Sequence, residues 1–376
     1  MTIRDYSDYE DVLTALGLAI SARIPVLLWG DPGQGKTALV ESAHQAGWHV
    51  ETVIVSHYEP SDFVGLPVLH DGSVTLAPPA WATRLADSPG PSIAFFDEFS
   101  TASPALQAAA LRPLTHYEVG TLQLPQRVSF VAAANPADVA AGGWELEPPT
   151  ASRFVHIDWE MPLDVFAECL VSRQWPALPM YAVPADYDAH LDRRRALVAG
   201  FLRSRGTQLT RLPRDAAERT RAFPTPRTWD YATRLTALAD AHGASPEVLS
   251  LLTTGCVGPA VAHEYLTFCR LQDLPDPEDV LADPSGPHFV GMRADRVYVA
   301  LQGALAAVRR RTTPERWSAA VVACATAAGA VGVDPAVPVV RALLRPGVRP
   351  DGAPIPREIM VFASVLILAG LLPELP

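Results

Sequence analysis

Gly30-Asp31-Pro32-Gly33-Gln34-Gly35-Lys36-Thr37 decides the fold. It has the form GxxxxGK[ST]. Residues 24–29 (IPVLLW) before it have the continuous apolar character of a buried strand, and residues 37–46 after it read as a helix. Strand, glycine-rich loop and helix in that order make a phosphate-binding loop. The glycines let backbone N–H groups close around phosphate oxygens, and the helix turns its positive end toward the same anion. Lys36 supplies a point charge, and the Thr37 hydroxyl is a hard oxygen ligand for Mg²⁺. Of the 30 basic residues, Lys36 is the one lysine. The expected nucleotide contacts are Gly30, Asp31, Pro32, Gly33, Gln34, Gly35, Lys36, Thr37 and Ala38, with ATP and Mg²⁺ as the cofactors.

Working outward, short apolar runs alternate with helical stretches as in an α/β fold. Further strands are expected at 49–56, 92–96, 128–133 and 155–158, and a helix at 105–117. Phe95-Phe96-Asp97-Glu98 places two carboxylates just past a buried strand. Downstream of a phosphate-binding loop, Asp97 is expected to hold the metal and Glu98 to polarise a water. Asn135, in VAAANP, follows another buried strand, one that can lie between the loop strand and the Asp97 strand. Its amide could hold a water or a phosphate oxygen there. Arg153 and Arg227 have the planar, permanently charged fork that suits phosphate recognition. So do the other 27 arginines, and residue type alone does not single these two out.

From about residue 163 the chain turns Ala-, Leu- and Arg-rich and reads as helical. Proline-rich breaks fall at 176–184, 213–226, 275–287 and 346–356. The expected division is a core at 1–161, a helical lid at 162–272 and a helical extension at 273–376. The apolar run 359–372 is too short to span a bilayer and is expected to be a buried helix. The triplets Arg193-Arg194-Arg195 and Arg309-Arg310-Arg311 read as solvated faces. A net charge of −11 argues against general attraction to nucleic acid. Four widely spaced cysteines and a polar, acidic N-terminus fit a cytoplasmic protein.

These motifs together resemble the AAA+ ATPases, and among them the MoxR family. The likeness is close over residues 24–160 and looser over 161–250. SDFVGLPVLHDGSVTLAPPAWATRL (61–85), with a hairpin around Asp71-Gly72, is similar to the insert that such proteins carry before the second acidic motif. FFDEFSTASPALQAAALRPL (95–114) resembles their DE-x-x-x-A-x-P-x-x-Q-x-x-L stretch. EVGTLQLP (118–125) resembles the following hairpin, and NPADVAAGGWELEPPTASRF (135–154) the segment ending in "RF". Ser152 stands where the family carries Asp.

The resemblance implies an α/β P-loop AAA+ core, a five-stranded parallel sheet ordered 5-1-4-3-2 flanked by helices, followed by an all-α lid and a helical extension. It makes Asn135 the first sensor, Arg153 a finger reaching a neighbouring subunit's nucleotide, and Arg227 the second sensor. It also implies a homo-oligomeric ring, commonly a hexamer. The ring would hydrolyse ATP to remodel a protein client in a chaperone-like way, often beside a partner with a von Willebrand factor A domain. Two other functions are open to the same residues: a nucleotide-gated scaffold with little turnover, and a nucleic-acid-remodelling ATPase.

Overall fold

The computed structural model describes residues 6–136, 144–271 and 274–371. The chain separates into two compact units: Met1–Tyr187 with Gln208–His263, and Asp188–Thr207 with Glu264–Pro376.

Among the described residues the first unit has nine strands: β1 (Val26–Trp29), β2 (His49–Ile54), β3 (Leu66–His70), β4 (Ser73–Ala77), β5 (Ser92–Asp97), β6 (Glu118–Val119), β7 (Leu122–Gln123), β8 (Val128–Ala134) and β9 (Val155–Asp158). Five of them form one parallel sheet in the order β2-β5-β8-β1-β9. Read from the β9 end and counted in chain order, that is 5-1-4-3-2, the arrangement the resemblance implies. Every residue of β1 and β8 is buried, as expected for central strands covered on both faces. On one face an aromatic cluster forms around Phe96, with Phe63, Trp81 and Phe130 at ring-centroid distances of 5.4, 5.8 and 5.9 Å. Helices Tyr6–Ser21 and Pro246–Val257 pack together and against β9. β3–β4 and β6–β7 are the two small antiparallel hairpins expected around Asp71-Gly72 and in EVGTLQLP.

In the second unit helices Ala294–Arg310 and Pro314–Val331 enclose an apolar core that includes Leu301, Trp317 and Val340. The expected helix at 359–372 takes another form. A 3₁₀ segment, Arg357–Phe362, leads into a short helix, Ala363–Leu368. Three residues per turn put Ile359 and Phe362 on one side, where both are buried, while Val361 and Leu368 are exposed. The Arg193-Arg194-Arg195 triplet is also no simple solvated face, because Arg194 is buried between two exposed neighbours.

His156 ties β9 to β1. The indole N–H of Trp29 donates to its Nδ1 at 2.9 Å, so Nε2 carries the ring proton and donates to the Ala151 carbonyl at 2.9 Å. Burial, aided by the nearby Arg221 cation, pushes its pKa down to about 4, against the pull of the Ala151 bond and Asp158. The unfolded chain therefore binds more protons than the folded one between about pH 4 and 6.5, so stability rises with pH across that window. We predict a contribution on the order of 3 kcal/mol at neutral pH that fades as pH falls through this range. Urea unfolding at pH 5 and pH 7.5 should show a smaller difference in His156→Gln than in the wild type; equal differences would refute the assignment.

Candidate nucleotide site

The glycine-rich loop leaves β1 at Gly30, whose N–H still pairs with the Ala134 carbonyl at 3.1 Å. A Cβ at Gly30 would stand 2.5 Å from the Trp159 carbonyl oxygen, so no other residue fits there. Gly33 and Gly35 have φ of 81° and 76°, the left-handed region that glycine enters at least cost. Gly35 leads directly into helix Lys36–Glu41. The loop is held from the far side by the residues after β9. The Trp159 N–H donates to the Trp29 carbonyl at 2.6 Å, its indole N–H to the Gln34 carbonyl at 2.8 Å, and the Met161 N–H to Gln34 Oε1 at 3.0 Å. The Gln34 side chain is thus an anchor for the loop.

Lys36 is only 8% exposed. Its Nζ donates to the Gly30 carbonyl (2.5 Å), the Asp31 carbonyl (2.8 Å) and Asn135 Oδ1 (2.9 Å), which uses all three ammonium donors. Burial lowers its pKa, and Asp97 and Asp31 oppose that shift. Asn135 directly follows β8, and its N–H donates to Ser100 Oγ at 3.1 Å. The Thr37 hydroxyl donates to Asp97 Oδ2 at 2.7 Å. A hydroxyl and a carboxylate held together are the hard oxygen donors that Mg²⁺ prefers, so these residues fit that ion. Asp97 Oδ1 accepts the Glu98 N–H at 2.9 Å. Glu98 has φ 57°, a left-handed conformation uncommon for a side-chain-bearing residue, and its carboxylate is exposed. Its Oε2 accepts a hydrogen bond from Ser56 Oγ at 2.7 Å. Sequence reading missed Ser56. The signal for it is a hydroxyl just past β2, informative only once β2 is known to lie beside β5.

The two arginines lie elsewhere. Arg153 precedes β9 on the turn leaving helix Pro148–Ala151, and its Nη1 donates to the Pro149 carbonyl at 2.5 Å. Arg227 sits in the first turn of helix Pro226–Ala241, after the Thr225 cap, and its Nη1 approaches Ser152 Oγ at 3.5 Å. Burial, and then the Arg227 charge, lower the Arg153 pKa, so the two guanidinium groups share one neighbourhood. It is the N-terminal edge of the sheet, whereas the loop, Asp97 and Asn135 stand at the C-terminal edge. Strands rise about 3.3 Å per residue, so the six residues from Arg153 to Trp159 cover roughly 20 Å, more than an arginine side chain reaches. The structure therefore brings Lys36, Thr37, Asp97, Glu98 and Asn135 together and leaves Arg153 and Arg227 as a separate pair. Residues 137–143 of the segment between Asn135 and Arg153 lie outside the described residues.

Residues 25–154 match the family model described as AAA domain (dynein-related subfamily). No curated protein matches the chain. Among solved structures, a protein from Cytophaga hutchinsonii assigned as an ATPase is 14% identical, covering 70% of this chain and 94% of that one, with a TM-score of 0.39. A full-length MCM homolog from Methanopyrus kandleri is 18% identical, covering 71% and 63%, at 0.34. A RuvB mutant from Thermotoga maritima is 15% identical, covering 76% and 80%, at 0.29. Likeness at this level carries no functional argument. The domain match and the sheet order establish a P-loop AAA+ fold. Among the described residues no helix is long and apolar enough to cross a membrane.

If Thr37 and Asp97 form a metal-supported phosphate site, Thr37→Val removes one oxygen donor and little volume. We predict that added Mg²⁺ strengthens binding of a fluorescent ATP analogue to the wild type, and that this gain falls about tenfold or more in the variant. An unchanged gain in a titration with and without Mg²⁺ would count against the site.

Proposed function

We propose that this chain is a MoxR-like AAA+ ATPase that hydrolyses Mg-ATP at sites shared between copies. The supporting observation is the convergence of Lys36, Thr37, Asp97, Glu98 and Asn135 at one end of a parallel sheet. Residues 30–38 would wrap the phosphates, with Lys36 moving from backbone carbonyls to phosphate oxygens. Mg²⁺, when bound by Thr37 and Asp97, would neutralise charge on those oxygens. Glu98 would leave Ser56 and orient a water for in-line attack, and Asn135 would steady that water or a γ-phosphate oxygen.

Arg153 and Arg227 are too far from their own loop to act on it. In this reading both stabilise transition-state charge at a nucleotide seated on another copy, which calls for a head-to-tail homo-oligomer, a hexameric ring in the resembling family. The working division remains a core at 1–161, a lid at 162–272 and an extension at 273–376. The motor would act in the cytoplasm on a protein client, alone or with a von Willebrand factor A partner. One observation favours a slower device: Ser56 holds the Glu98 carboxylate, as suits a nucleotide-gated scaffold that turns over only when that bond breaks.

Phosphate release with Mg·ATP, with mass measured in parallel, tests the reading. We expect ATP-dependent assembly. Turnover should fall on the order of 100-fold in both Glu98→Gln and Arg153→Ala. Mixing the two variants should restore part of it, since some interfaces then combine an intact Glu98 with an intact Arg153. Assembly without phosphate release would replace the motor with the scaffold. For Ser56→Ala we expect turnover equal to or above the wild type; a loss as deep as that of Glu98→Gln would show that Ser56 positions the glutamate for attack.

A further inference from the structure

A cavity of about 410 Å³ opens at the N-terminal edge of the sheet, beneath β1 and β8. Arg23, Arg227 and Arg234 line it together with Tyr117 and Tyr231, and no carboxylate is among its lining residues. The nearest acid seen on these arginines is Asp230, 3.8 Å from Arg234 on the surface of their common helix and mostly exposed. Backbone carbonyls fix two of the three guanidinium groups. Arg23 donates to the Gln126 carbonyl, and Arg234 to the Ala22 carbonyl at 3.0 Å. Burial raises the pKa of both phenols, although Arg23 and Arg234 pull Tyr117 back and Arg227 and Arg234 pull Tyr231 back. Both hydroxyls are therefore protonated donors at neutral pH. Arg23 and Tyr117 also have left-handed backbones, φ 56° and 58°. Both stand just past helix ends, Tyr6–Ser21 and Pro104–His116, where a left-handed residue turns the chain toward the cavity's edge of the sheet.

Three clustered cations, two phenol donors and no lining carboxylate among the described residues suit a compact ligand with several charged oxygens. We propose that this cavity is a phosphoanion site in which Arg23 and Arg234 contact the anion beside Arg227. The anion has two conceivable sources. One is the terminal phosphates of a nucleotide on another copy, which rests on the shared-site reading above. The other is a free phosphoanion, which does not.

The test uses Arg23→Gln and Arg234→Gln in the full chain, with Arg234→Lys as the variant that keeps the charge but loses the fork should the glutamine variant fold poorly. If the neighbour's nucleotide is the ligand, each variant should keep its own ATP affinity and lose turnover about tenfold or more. Mixing with Glu98→Gln should then restore turnover, and mixing with Arg153→Ala should not. If the ligand is free, inorganic pyrophosphate should bind the Lys36→Ala chain by calorimetry. That affinity should drop about tenfold or more when Arg23→Gln is added, with turnover of Arg23→Gln alone unchanged. Near-wild-type turnover together with no pyrophosphate binding overturns the proposal. Full turnover in Arg153→Ala would instead remove the shared-site reading, leaving the pyrophosphate arm to decide the cavity.

Discussion

Parallel pairing of β8 between β1 and β5 is the constraint on which the rest of the structure depends. Trp29 lies beside Ala134, and Phe96 beside Ala132, so three strands end at a common edge. The residues at their ends, Gly30, Asp97 and Asn135, are thereby brought within hydrogen-bond distance of one helix start. The Lys36–Asn135 and Thr37–Asp97 bonds are the direct expression of that register. A slip of one residue in β8 would turn its side chains to the other face and carry Asn135 away from the ammonium group. The same alignment gathers the strand beginnings at the opposite edge, where Arg153, Arg227, Arg23 and Arg234 stand. One sheet thus carries the glycine-rich loop at one end and four arginines at the other.

Most of this sheet is legible in the sequence. Continuous apolar runs at 24–29, 92–96 and 128–133 mark strands covered on both faces, and the glycine-rich loop fixes which of them comes first. Their order followed from the resemblance, and the observed pairing agrees with it. The positions of Asp97 and Asn135 are legible because one ends a strand and the other directly follows one, and that of Thr37 because the loop motif sets it at the start of the next helix.

What was illegible shares a cause: it depends on which non-adjacent segments meet. Ser56 matters because β2 is the neighbour of β5, and a serine after a strand has no distinguishing mark of its own. The helix bearing Arg227 could be read from Thr225, Pro226 and Thr228, yet nothing in that capping pattern says which edge of the sheet the helix start approaches. Arg23 looks like any other arginine until its backbone conformation and the carbonyl of Gln126 are seen. At 359–371 the apolar residues mark a buried segment but not its period, because 3.0 and 3.6 residues per turn are hard to distinguish over so few residues.

The burial of Lys36 has a chemical consequence. It is the one lysine in the sequence, and three oxygen acceptors occupy its ammonium group inside the loop. The positive charge elsewhere on the molecule is carried by guanidinium groups, which do not undergo acylation under ordinary conditions. Apart from the chain's own amino terminus, then, the protein offers almost no primary amine to its surroundings. Enzymes that tag lysines and reagents that couple to amines find a nearly inert surface. Any such reaction at a side chain would report on the nucleotide loop itself.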